Sequence, residues 1–75
     1  MPEHLANRLK KRRTELGLTQ AELAERVGVT RKTVNTVENG VFTPSATLAI
    51  KLAEALQVTV EQLFWIERRP RLPGE

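Results

Sequence analysis

The sequence predicts an all-α fold: a compact bundle of five short helices in one domain. Three observations carry this. Gly17, Gly28 and Gly40 each follow an apolar-periodic segment, where helices commonly terminate. Thr19 with Glu22 and Thr59 with Gln62 form T-x-x-E and T-x-x-Q capping boxes, and Thr30 and Ser45 are further N-cap candidates. Val, Ile and Thr never occur in the alternating runs of a half-buried strand, except near the C-terminus.

The elements follow in order. The first helix is expected over 3–16, with Leu5, Leu9 and Leu16 on one face. The second spans 20–27 and buries Leu23, Ala24 and Val27. The third spans 31–39 and buries Val34 and Val37. The fourth, over 46–56 after Thr43-Pro44, has apolar residues on more than one face; Ala49, Leu52, Ala53 and Leu56 are assigned to the core, and Leu48 is left open. A short fifth helix covers 60–64. Pro70, Pro73 and Gly74 mark a frayed end, so the domain is set at 1–67 with a short flexible basic tail at 68–75.

Composition narrows the function. Seventy-five residues allow one small, marginal core, for which an oligomeric partner is plausible. There is no Cys, Asp or Tyr, and His4 is the single histidine. No His/Cys or His/Asp pairing is available for nucleophilic catalysis, and the glutamates lie mostly at helical surface spacings. The chain therefore reads as a non-enzyme without metal or cofactor. No second ligand accompanies His4, which is expected to be solvated. No apolar run approaches the roughly 18 residues of a membrane span, and no signal peptide follows Met1, so a cytoplasmic protein is expected.

The net charge of +3 is modest, so its distribution matters more. Arg31 and Lys32 open the third helix, at the end of the macrodipole where exposed cations cost about 0.3–1 kcal/mol each. That placement suits a polyanion with hydrogen-bonding edges to read, and duplex DNA fits. Between the second and third helices lies only Gly28-Val29-Thr30. Gly28 can adopt the left-handed turn conformation, and Val29 is expected to plug the corner. A bland helical hairpin could use these residues, but a tight turn before a polar, cationic helix start is the arrangement of a helix-turn-helix.

The segment LGLTQAELAERVGVTRKTVNTVENG, with KKRR upstream and TPSATLAIKLAEAL downstream, resembles the Cro/C1-type helix-turn-helix regulators, also called the xenobiotic-response-element family. The resemblance covers about residues 5–64. It implies a lambda-repressor-like bundle whose third helix enters the major groove while the second crosses the backbone. By position, Arg31, Lys32 and Thr36 would face base edges, with Thr33 and Asn35 alongside. Gln20 would contact phosphate or brace a recognition side chain. Thr30, Asn39 and the Gly40 to Thr43 segment would approach phosphates, the latter through backbone N–H groups. Lys10, Lys11 and Arg12 are either solvated or phosphate contacts, with Lys11 assigned to phosphate. Arg13 and Glu38 match a partly buried ion pair. Arg31-Lys32 suggests a G-richer site, since Arg and Lys commonly pair with guanine.

Leu63 and Phe64 suit core packing of the last helix, which leaves Trp65 and Ile66 over. Val60, Leu63, Phe64, Trp65 and Ile66 are together assigned to a homodimer interface, in which the C-terminal stretch could form a strand across the two-fold axis. The expected function is a sequence-specific double-stranded-DNA-binding transcriptional regulator, a dimeric repressor with no small-molecule ligand. The alternative is an antitoxin or protein-interaction module of a toxin–antitoxin pair.

Overall fold

A computed structural model describes residues 3–68 of the chain. The order is β1 (Glu3–Asn7), α1 (Leu9–Glu15), α2 (Gln20–Val27), α3 (Arg31–Glu38), α4 (Ala46–Ala55), α5 (Val60–Leu63) and β2 (Phe64–Arg68). The five expected helices are present, but the all-helical expectation is corrected at both ends. β1 and β2 pair antiparallel, Leu5 opposite Ile66 and Asn7 opposite Phe64. The C-terminal strand thus pairs within the chain. Arg68 closes β2, and its guanidinium lies 2.9 Å from Glu3. Residues 69–75, the rest of the expected tail, lie outside the described residues.

The first helix begins six residues later than expected because Asn7 and Arg8 are committed elsewhere. Asn7 Oδ1 accepts the Leu9 N–H at 3.0 Å, and Asn7 Nδ2 donates to the Val37 carbonyl at 3.0 Å. The Arg8 N–H donates to the Leu63 carbonyl at 3.0 Å. These bonds turn the chain from strand into helix and tie that corner to α3 and α5. His4, expected to be solvated, sits across the ladder from Glu67 at 3.4 Å, with both side chains mostly exposed.

Side-chain oxygens open four helices. Thr19, Thr30, Ser45 and Thr59 each accept the backbone N–H three residues on, and both capping boxes are closed. Helix ends use one device repeatedly. At Gly40 (φ 72°) the Gly40 N–H bonds the Val37 carbonyl and the Val41 N–H bonds the Thr36 carbonyl, a Schellman motif. The end of α4 has the same pattern with Gln57, at φ 59°, in the left-handed position.

The core joins Leu9, Leu18, Leu23, Ala24, Val27, Val34, Val37, Leu52, Ala53, Leu56, Leu63 and Phe64. Fully burying one such large side chain contributes about 1.5–3 kcal/mol. Leu18, not assigned to the core from the sequence, is buried. Leu48 and Ala49 pack on the core edge, Ala49 less deeply than expected. Among the described residues no helix is long and apolar enough to cross a membrane.

Candidate nucleic-acid interface

The α2–α3 corner is built by local chemistry. Gly28 takes φ 76°, and the Val29 N–H bonds back to the Ala24 carbonyl at 3.0 Å. Val29 then packs against the core, as expected of a corner plug. Thr30 caps α3 by accepting the Thr33 N–H at 3.2 Å, and the two threonine hydroxyls lie 3.0 Å apart.

Helical rotation of about 100° per residue sorts α3 into faces. Val34 and Val37 point into the core. Lys32, Asn35, Thr36 and Asn39 lie on the opposite side, with Arg31 and Thr33 flanking. Arg31, Lys32, Asn35 and Asn39 are exposed, while Thr33 and Thr36 are half-buried. The Thr36 hydroxyl donates to the Thr33 carbonyl at 2.9 Å, so its proton is used within the helix. Among the described residues neither Arg31 nor Lys32 has an ion-pair partner, and the first turn of α3 holds no acid. Their unfavourable placement at the macrodipole has no internal compensation.

Below this face runs a polar chain. Arg13 holds Glu38 with two bonds, Nε to Oε2 at 2.7 Å and Nη2 to Oε1 at 3.2 Å, and its Nη1 donates to the Leu18 carbonyl at 2.8 Å. The Glu38 side chain is 2% exposed. Gln20 Nε2 donates to Glu38 Oε1 at 3.3 Å and to Asn35 Oδ1 at 3.2 Å. Asn39 Nδ2 donates to the same Asn35 oxygen at 3.1 Å. Gln20 therefore bonds a side chain on the outward face of α3, the geometry that the bracing alternative expects. The Asn35–Asn39 pair is a contact the sequence reading missed. Its signal was two amides four residues apart on one helix face.

The structure corrects three expectations. The backbone N–H groups of Asn39, Gly40, Val41 and Phe42 are already bonded to carbonyls of α3. Arg12 is a structural tie, its Nε donating to the Leu56 carbonyl at 2.8 Å and its Nη1 lying 3.6 Å from Glu15; Lys10 and Lys11 remain exposed. Leu63 and Phe64 are buried in the core and cannot serve a dimer contact. Val60 and Trp65 are half-buried, and Ile66 is 48% exposed. The Arg8 guanidinium sits 4.9 Å above the Trp65 ring, a cation–π contact.

Comparison with known proteins agrees with this geometry. A family model described as helix-turn-helix matches residues 9–63. The HTH-type transcriptional regulator YgzD of Bacillus subtilis is 41% identical over 63 residues, covering 84% of this chain and 96% of its own. An HTH-type transcriptional regulator of Methanothermobacter thermautotrophicus is 48% identical over 60 residues, covering 79% of this chain and 87% of its own. Antitoxin HipB of Escherichia coli is 34% identical over 79% of this chain but 63% of its own length. Among solved structures, the P22 c2 repressor in complex with a synthetic operator superposes with a TM-score of 0.70 at 30% identity, covering 72% of this chain and 82% of its own. Capped helices, the glycine turn and an outward cationic third helix thus coincide with a match over most of the chain: it belongs to the Cro/C1-type helix-turn-helix family.

Proposed function

We propose that the chain is a DNA-binding transcriptional regulator, a dimeric repressor that reads the major groove with α3. The observation that carries this is the outward face of α3, which offers Arg31 and Lys32 without an ion-pair partner among the described residues and Asn35 held from behind by Gln20. Arg31, Lys32, Asn35 and Thr36, flanked by Thr33, face base edges. Thr30, Asn39, Thr43 and Lys11 reach phosphates, with Gly40 shaping the turn. The P22 c2 repressor, a structural relative, is in complex with a synthetic operator, which supports duplex DNA as the partner.

One domain of this size buries little DNA surface, which favours a dimer. The two-stranded sheet carries Trp65 and Ile66 on β2 and has no further strand among the described residues, and Val60 opens α5 just before it. A two-fold pairing there would present two α3 helices about one duplex turn, roughly 34 Å, apart. Selection of bound duplexes from a random pool tests the reading. It should enrich a near-palindrome, and no enrichment at moderate salt rejects it. Sedimentation tests the dimer: a monomer at tens of micromolar, unaltered by Trp65→Ala, removes it. A second reading, an antitoxin that also binds DNA, is favoured by the likeness to HipB alone. The nearer relatives bear the name of regulators. A small toxin-like protein encoded beside this chain would favour that second reading.

A further inference from the structure

Amide side chains are ambivalent, since each carries a donor end and an acceptor end. In this protein the ambivalence is removed by a chain of partners that begins in the core. The Arg13 guanidinium can only donate, and it occupies both Glu38 oxygens. Glu38 therefore presents an acceptor to Gln20, so the Gln20 group facing it must be the NH2. The second hydrogen of that NH2 points to Asn35, so the Asn35 atom facing Gln20 must be its oxygen. Asn39 must in turn offer its own NH2 to that oxygen. An amide oxygen has two lone pairs, and both are now taken. Asn35 is exposed and keeps one free group, an NH2 with two hydrogens.

Asparagine reads adenine by accepting from N6 while donating to N7, and that pairing needs the oxygen. Here the oxygen is occupied. Guanine is the base that offers two neighbouring acceptors, N7 and O6, and no donor on that part of its edge. Resting on the reading of α3 as the recognition helix, we propose that Asn35 is a specificity-determining residue, fixed by Gln20 and Asn39 as a donor-only group that selects guanine over adenine at the base pair it faces. Gln20 acts through Asn35 as a positioning residue, and the ion pair of Arg13 and Glu38 sets the polarity of the whole chain.

The test is selection from a random duplex pool with wild type, Asn35→Ala and Gln20→Ala. Asn35→Ala should abolish base preference at one position per half-site, and that position should be guanine in the wild-type pattern. Gln20→Ala frees one Asn35 lone pair. It should raise the adenine-to-guanine ratio at the same position about fivefold or more. If Gln20→Ala melts well below wild type, Gln20→Met supplies the same readout with the side-chain volume kept. Adenine at the Asn35-dependent position of the wild type would overturn the proposal, as would an unchanged ratio in the Gln20 variants or no change at any position with Asn35→Ala. Each of these leaves DNA reading by α3 intact. No enriched pattern for the wild type would instead overturn the reading on which the proposal rests.

Discussion

Arg13 in α1 and Glu38 at the end of α3 form a bidentate ion pair whose Nε–Oε2 distance is 2.7 Å. The pair is almost wholly inside the protein, and the third guanidinium nitrogen is spent on the Leu18 carbonyl. Removing one member of such a pair strands a buried charge, which typically costs about 3–5 kcal/mol. Arg12, one residue earlier, makes a single good bond to Leu56 and a long exposed contact with Glu15. Its removal should cost about 1 kcal/mol. Denaturant melts of Arg13→Ala and Arg12→Ala should differ several-fold; equal losses would remove the ion pair from the account.

Gln57 adopts φ 59° at a position where the ends of α1, α2 and α3 carry glycine. A side chain there is strained, and glycine relieves the strain at a smaller cost in chain entropy. Gln57→Gly should stabilise the fold by about 0.5–1 kcal/mol, read as a higher denaturant midpoint at unchanged slope. A lower midpoint would show that the Gln57 side chain contributes something this conformation does not reveal.

Two capping boxes differ in one respect: Glu22 titrates and Gln62 does not. The Thr19 backbone N–H, and secondarily its hydroxyl, hold the Glu22 carboxyl below the ordinary glutamate range. A depressed carboxyl contributes stability that is complete above its unfolded value and is lost as pH falls through its folded value. The Glu22 contribution should therefore disappear only in acid below the usual glutamate range. A carboxyl-resolved NMR titration should place its midpoint below those of unbonded exposed glutamates. Glu22→Gln should keep the cap and abolish this part of the acid dependence.

Lys11 is exposed on α1 and is proposed to touch phosphate. If it touches phosphate, Lys11→Gln should weaken every duplex alike. It should also lower the slope of log affinity against log salt by about 0.9 per copy bound. An unchanged slope would place Lys11 in bulk solvent.

The centre of the chain was more legible in the sequence than its ends. From Thr19 to Leu56 the caps, the glycine turn and the apolar spacing are local signals, and they placed α2, α3 and α4 within a residue at each end. β1 was not visible because its five residues, EHLAN, have no strand pattern of their own. They become a strand through a partner that is distant in sequence. Asn7 was the overlooked mark, a residue suited to end one element and start another through its side chain. The sequence assigns Leu63 and Phe64 both to the core and to an interface, and burial resolves them to the core. In the site, the identities of Arg31 and Lys32 were readable. The bonds from Gln20 to Asn35 and Glu38 were not, since they depend on how closely α2 crosses α3.

In the proposed division of work, α3 chooses sequence while α1 adds only affinity. The direct measurement is titration of a selected duplex and a scrambled duplex by wild type, Arg31→Ala and Lys32→Ala at fixed salt. A loss of about 1–3 kcal/mol on the selected duplex is expected for at least one of the two variants, with the scrambled duplex falling by much less. Equal losses on both duplexes would make Arg31 and Lys32 phosphate contacts and contradict base reading by this helix.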